Sequence, residues 1–135
     1  MLTQAKWERI RKVVIADAHG ACEVCGATRD KGMIVDEVWS YIPGQAFLTG
    51  LRLICPPCND VTHAGNSRSR GVPDEQLVAH CARVNGISEK DATLAIESAF
   101  TTWDRLHSVP SWHITVMPLV LEKFPDLEIL DDVMA

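Results

Sequence analysis

The sequence predicts an α+β fold: a small β-hairpin held by a structural four-cysteine metal site, flanked by an N-terminal helix and by C-terminal helices. Three observations carry that expectation. Two Cys-x-x-Cys pairs, Cys22/Cys25 and Cys55/Cys58, stand in the first half of the chain. Between them lie two stretches rich in β-forming residues. On either side, apolar residues recur at helical spacing.

The elements follow in order. Over residues 4–18, Trp7, Ile10, Val13, Val14 and Ala18 share one helical face, with Thr3 as N-cap and His19-Gly20 as the stop. "CEVCGAT" reads as a tight knuckle, with Gly26 turning the chain after the second sulfur. "MIVDEVWSY" (33–41) and "AFLTGLRLIC" (46–55) read as strands joined by "IPGQ". "PPCNDVTHAG" begins a short helix, with Pro57 near its start and Gly65 past its end. "NSRSRGVP" (66–73) reads as a loop. Asp74 to Val84 is amphipathic, and Ser88 caps a further helix whose buried face draws on Leu94, Ile96, Ala99, Phe100, Trp103 and Leu106. "WHITVMPLVL" contains a short strand or extended segment, and "FPDLEILDDVMA" is an acidic, apolar tail. The four tryptophans, Trp7, Trp39, Trp103 and Trp112, are assigned to the core, as is Cys81.

Length and composition narrow the class. At 135 residues the chain suits one compact domain, with a metal-stabilised region over 1–70 and a helical extension over 71–135 packed on it. Apolar content of 47% against 23% charged is the balance of a globular protein. No apolar run reaches membrane-spanning length, and the N-terminal apolar residues alternate with charges, so neither a span nor a secretory leader is expected. The setting expected is cytoplasmic. Net charge is −5, split as +2 over 1–70 and −7 over 71–135. Global acidity argues against non-specific polyanion binding, while a local basic face on the first half stays open.

In a reducing compartment, paired Cys-x-x-Cys motifs read as metal ligands rather than disulfides. Zinc takes thiolates tetrahedrally, and each knuckle aims two sulfurs at one point. The 29 residues between Cys25 and Cys55 leave room for a hairpin. Four thiolates leave no open position for water, so such a site is structural, and its metal is coupled to folding.

The stretches "CEVCG" (22–26), "VDEVW" (35–39) and "GLRLICPPCNDVTH" (50–63) together resemble the HNH endonuclease superfamily, the ββα-metal fold. The likeness covers about residues 7–65. "VNG" (84–86), Trp103 and Trp112 are also similar to one bacterial and phage branch of it. The resemblance implies hydrolysis of phosphodiester bonds in a nucleic acid, DNA before RNA, in a bacterial cytoplasm or a phage-infected cell. It also implies a second ion, Mg²⁺ or Mn²⁺, where hairpin and helix meet. Position by position, Asp36 falls at an acidic metal ligand and Glu37 where the base His usually stands. With the branch's His-Glu pair as template, Asp36 instead replaces the His. Gly50 falls near a middle Asn, Asn59 replaces a His, and His63 is retained. The expected site is therefore Asp36, Glu37 and His63 for catalysis, with Asp36, Asn59 and His63 holding the ion. Arg52, Arg68 and Arg70 are its candidate phosphate contacts.

Plainer readings stand beside these. Asp36 and Glu37 also read as strand-end carboxylates, Asn59 as a helix cap, and the arginines as solvated charge. Adjacent strand residues face opposite ways, so Asp36 and Glu37 share a site only where the strand ends or bulges. An ordinary Glu, with a pKa of about 4.3, is a weak base for activating water. A degenerate frame that binds a protein partner, for example an inhibitor of a host defence protein, is the alternative to a nuclease. A plain zinc ribbon is a third.

Overall fold

A computed structural model describes residues 2–128; the acidic end of the tail, 129–135, lies outside the described residues. The fold is α+β, with a three-stranded sheet and several helices. The chain divides into two compact units. One comprises Met1–Gly20, Val35–Leu53 and Val109–Ala135, the other Ala21–Ile34 and Ile54–Ser108. Among the described residues, no helix is long and apolar enough to cross a membrane.

The first unit opens with α1 (Gln4–Asp17). Thr3 caps it, its hydroxyl accepting from the Lys6 N–H at 3.2 Å, and His19 and Gly20 stop it with φ of 53° and 72°. Only Ile10 and Val14 of its expected apolar face are buried. Strands β1 (Ile34–Ile42) and β2 (Gln45–Ile54) are hydrogen-bonded neighbours joined through Pro43 and Gly44. A connection this short makes them an antiparallel hairpin. Gly44, at φ 82°, takes the left-handed value that a turn of the Pro-Gly kind requires. β3 (His113–Val116) adds to β2 in parallel, pairing Gln45 with His113 and Leu48 with Val116. Helix α6 (Pro118–Lys123) and a 3₁₀ turn (Pro125–Glu128) follow the strand order of the sequence. Ala46, Leu48, Val116, Val120, Phe124 and Leu127 are all buried in this unit.

In the second unit, α2 (Pro56–Thr62) is followed by α3 (Ala64–Ser69), α4 (Asp74–Asn85) and α5 (Glu89–His107). Its core joins Ala64, Leu77, Cys81, Ala82, Ala92 and Ile96, with Phe100 and Val61 packed against them. Cys81 is buried as expected. Gly86, at φ 63°, ends α4, and the Ser88 hydroxyl caps α5 by accepting from the Asp91 N–H at 3.0 Å.

Two expectations are corrected here. Residues 66–69 are helical, and Gly65 lies inside α3 rather than beyond a helix end. Within it the serines return their hydroxyls to the backbone. Ser67, fully buried, donates to the Asp60 and His63 carbonyls at 2.7 and 3.1 Å, and Ser69 donates to the Gly65 carbonyl at 3.1 Å. The second correction concerns α5. Leu94 and Trp103 are 54% and 56% exposed, and so do not belong to the core. At 19 residues against 12, α5 outruns α4, its partner across a short turn. Near its end the His107 ring stacks on the Trp103 indole, at 3.6 Å between centroids.

Candidate metal centre

The knuckle at Cys22 is a small β-turn structure. The Cys22 N–H donates to the Ala27 carbonyl and the Gly26 N–H to the Cys22 carbonyl, both at 2.8 Å, while Gly26 sits at φ 79°. The turn folds the Cys25 N–H back to within 3.5 Å of the Cys22 sulfur. The second pair is built on helix geometry. Cys55 is the N-cap of α2 and Cys58 lies in its first turn, so the two thiols project toward one point. Pro56 and Pro57 occupy the positions where a helix has no use for their missing N–H.

All four sulfurs lie within 4.8 Å of one another, and Cys25 and Cys55 are 3.6 Å apart. A tetrahedral zinc with bonds of about 2.3 Å separates its sulfurs by about 3.8 Å. The donor set and its spacing therefore fit a metal ion such as zinc, and four thiolates complete a tetrahedron. Among the described residues this is the one cluster of three or more His, Cys, Asp or Glu donors able to share an ion.

The four thiols differ in acidity. Burial pushes the Cys22 thiol up, but N–H donors from Cys25, Cys55 and Val24 outweigh it and bring it down to about 6. Burial raises Cys55 and raises Cys58 further, reinforced at Cys58 by the neighbouring sulfurs. One sulfur is thus prepared as a thiolate, and at least two must shed protons to a metal.

A histidine that carries no sequence motif touches this centre. His80 on α4 places Nε2 3.2 Å from the Cys58 sulfur, and its Nδ1 lies 2.8 Å from Arg83 Nη2. Burial, then the Arg83 charge, lowers the His80 pKa against an opposing pull from Asp60. The pairing spans 22 positions and depends on how α4 packs on α2, so no local pattern announces it.

The positions expected for a second, catalytic ion are distributed as follows. Asp36 is 6% exposed and receives Arg52 Nε at 2.9 Å. β1 runs unbroken from Ile34 to Ile42, and next to buried Asp36 the Glu37 side chain is exposed on the opposite face, accepting from Trp39 Nε1 at 3.0 Å. Gly50 lies within β2. Asn59 is inside α2, whose N-cap is Cys55, so Asn59 does not cap it. His63 is exposed at the junction of α2 and α3, with φ −110° and ψ 50°, and lines a cavity of about 750 Å³ with Phe100 and Trp103. Asp36 and Glu37 belong to the first unit, Asn59 and His63 to the second.

The three candidate phosphate-binding arginines all have carboxylate partners. Arg52 pairs with Asp36, Arg68 with Asp74 at 2.7 Å, and Arg70 with Asp60 at 3.0 Å. Arg68 also lies over the Phe100 ring, 4.4 Å from its centroid. Comparison of the chain with protein-family models, with curated proteins and with solved structures gave no match.

Proposed function

We propose that this chain is a zinc-stapled frame of the HNH type whose nuclease chemistry has degenerated, and that it acts by binding a protein partner. Cys22, Cys25, Cys55 and Cys58 would hold the structural zinc within the second unit. The observation that carries the reading is at Asp36. The carboxylate best placed to ligate a catalytic ion is buried against Arg52, and Glu37 beside it faces the other way. An acidic ligand already neutralised by a guanidinium has little to offer a divalent ion.

A protein partner is favoured over nucleic acid by charge and by surface. Arg52, Arg68 and Arg70 are already paired, and the whole chain is acidic. The exposed face of β1 carries Trp39 and Tyr41 with centroids 6.4 Å apart, and Trp112 meets Tyr41 edge-on at 6.0 Å. Tyr41 is half exposed and Glu37 lies close enough to raise its pKa, after burial. Clustered aromatic rings beside a carboxylate suit a protein surface and repel a phosphate backbone.

The rival reading keeps Asp36, Asn59 and His63 as ligands of Mg²⁺ or Mn²⁺ and requires Asp36 to exchange Arg52 for the ion. Nicking of supercoiled plasmid in either metal separates the two. The expected result is no cleavage by the wild-type protein. Cleavage that disappears in His63→Ala overturns the degenerate reading. Association with DNA alone, weakening steeply as salt rises, overturns the protein partner.

A further inference from the structure

His80 is held by two contacts whose donor roles can be worked out. Arg83 approaches Nδ1 at 2.8 Å, and a guanidinium has donors only. Nδ1 must therefore accept, which leaves the proton on Nε2. That atom faces the Cys58 sulfur at 3.2 Å, so the imidazole donates to it. His80 and Arg83 lie three residues apart on α4, one helical turn, which is why both reach the same side.

A zinc ion with four thiolates carries excess negative charge, here in a largely buried place. An N–H donated to one sulfur draws off part of that charge and fixes the direction of its lone pairs. We propose that the Arg83–His80 pair is a positioning relay for the metal centre, which holds Cys58 as a zinc-bound thiolate and slows loss of the ion. The relay rests on the four-thiolate zinc reading. It adds two residues that no cysteine pattern contains.

The test compares the whole wild-type chain with His80→Gln, His80→Leu and Arg83→Met, each loaded with one equivalent of zinc. Two quantities are read: zinc affinity against a competing chromophoric chelator, and the sulfur-to-metal charge-transfer band after Co²⁺ replacement. His80→Leu fills the space without donating, and a loss of affinity of about 10- to 100-fold is expected. His80→Gln, whose amide can donate to sulfur, is expected to recover most of it. Arg83→Met frees the tautomer and should fall between the wild-type and leucine proteins. The cobalt band should move in His80→Leu and return in His80→Gln.

Equal affinity in wild type and His80→Leu overturns the relay, as does a glutamine protein as weak as the leucine one. A wild-type cobalt spectrum with three sulfurs and one nitrogen overturns it too, by making His80 a ligand. If the wild-type chain takes up no stoichiometric zinc, the four-thiolate reading itself fails, and that result is distinct from the others.

Discussion

Arg52 Nε donates to Asp36 Oδ2 across the hairpin at 2.9 Å, and Asp36 is 6% exposed while Arg52 is 31% exposed. Removing one partner of a buried pair strands the other charge, at a cost of about 3–5 kcal/mol where both are fully enclosed. Solvent reaches Arg52, so the figure is reduced. Arg52→Ala is expected to destabilise by roughly 1–3 kcal/mol. Asp36→Asn should cost less than Arg52→Ala, because the partly exposed guanidinium can turn to water. Urea denaturation of the single variants and of Asp36→Asn/Arg52→Met gives the coupling energy, and additive single effects would refute the pairing.

That pair also shows what the sequence could disclose. The two Cys-x-x-Cys motifs, the hairpin between them and the caps Thr3 and Ser88 were legible, because each rests on contacts within a few residues. Strand edges moved by only one position. Asp36 was legible as a carboxylate on a strand, but its partner lies 16 residues away across a turn. His80 was illegible for the same reason at greater range. Trp103 marks the limit of periodicity, which registers a helical face and not whether that face is covered: it is 56% exposed. The helix at 64–69 was missed because Asn, Ser and Gly weigh against helix in isolation. Only the tertiary burial of Ser67 reveals that its hydroxyl serves the helix.

Ser67 is accordingly a point of leverage. With no exposed surface and two backbone acceptors, its hydroxyl ties α3 to the end of α2. Ser67→Ala removes a donor and leaves the Asp60 and His63 carbonyls to other partners, at an expected cost of about 1 kcal/mol. Ser67→Val adds methyl groups where there is no space and should cost about 1–3 kcal/mol. Thermal unfolding ranks the two; an unchanged midpoint for both would deny the hydroxyl its role.

Arg70 separates structural from nucleic-acid roles. It donates to Asp60 at 3.0 Å and lies 3.3 Å from the Ser67 hydroxyl, with half of its side chain exposed. An ion pair so open to solvent is worth about 0.2–1 kcal/mol. Arg70→Ala should therefore lower stability by no more than that and leave any weak DNA association unchanged. A drop of about one in the slope of log affinity against log salt would instead count Arg70 as a phosphate contact.

Zinc uptake should liberate protons in a number set by the thiols. Cys55 and Cys58 both have pKa values raised above the ordinary thiol value, by burial first, so both are protonated near neutral pH. Cys22, drawn down to about 6, is mostly ionised there. The sign follows directly. Raised groups hold their protons as pH falls, so acid opposes the metal, and affinity climbs as pH rises toward the range where those thiols ionise. Titration calorimetry between pH 7 and 8, repeated in buffers of different ionisation enthalpy, should count at least two protons released per zinc. Cys58→Ser, which removes the most reluctant thiol together with a ligand, should release fewer protons and bind far more weakly. A count below two for the wild-type chain would mean that zinc is not held by Cys55 and Cys58 together.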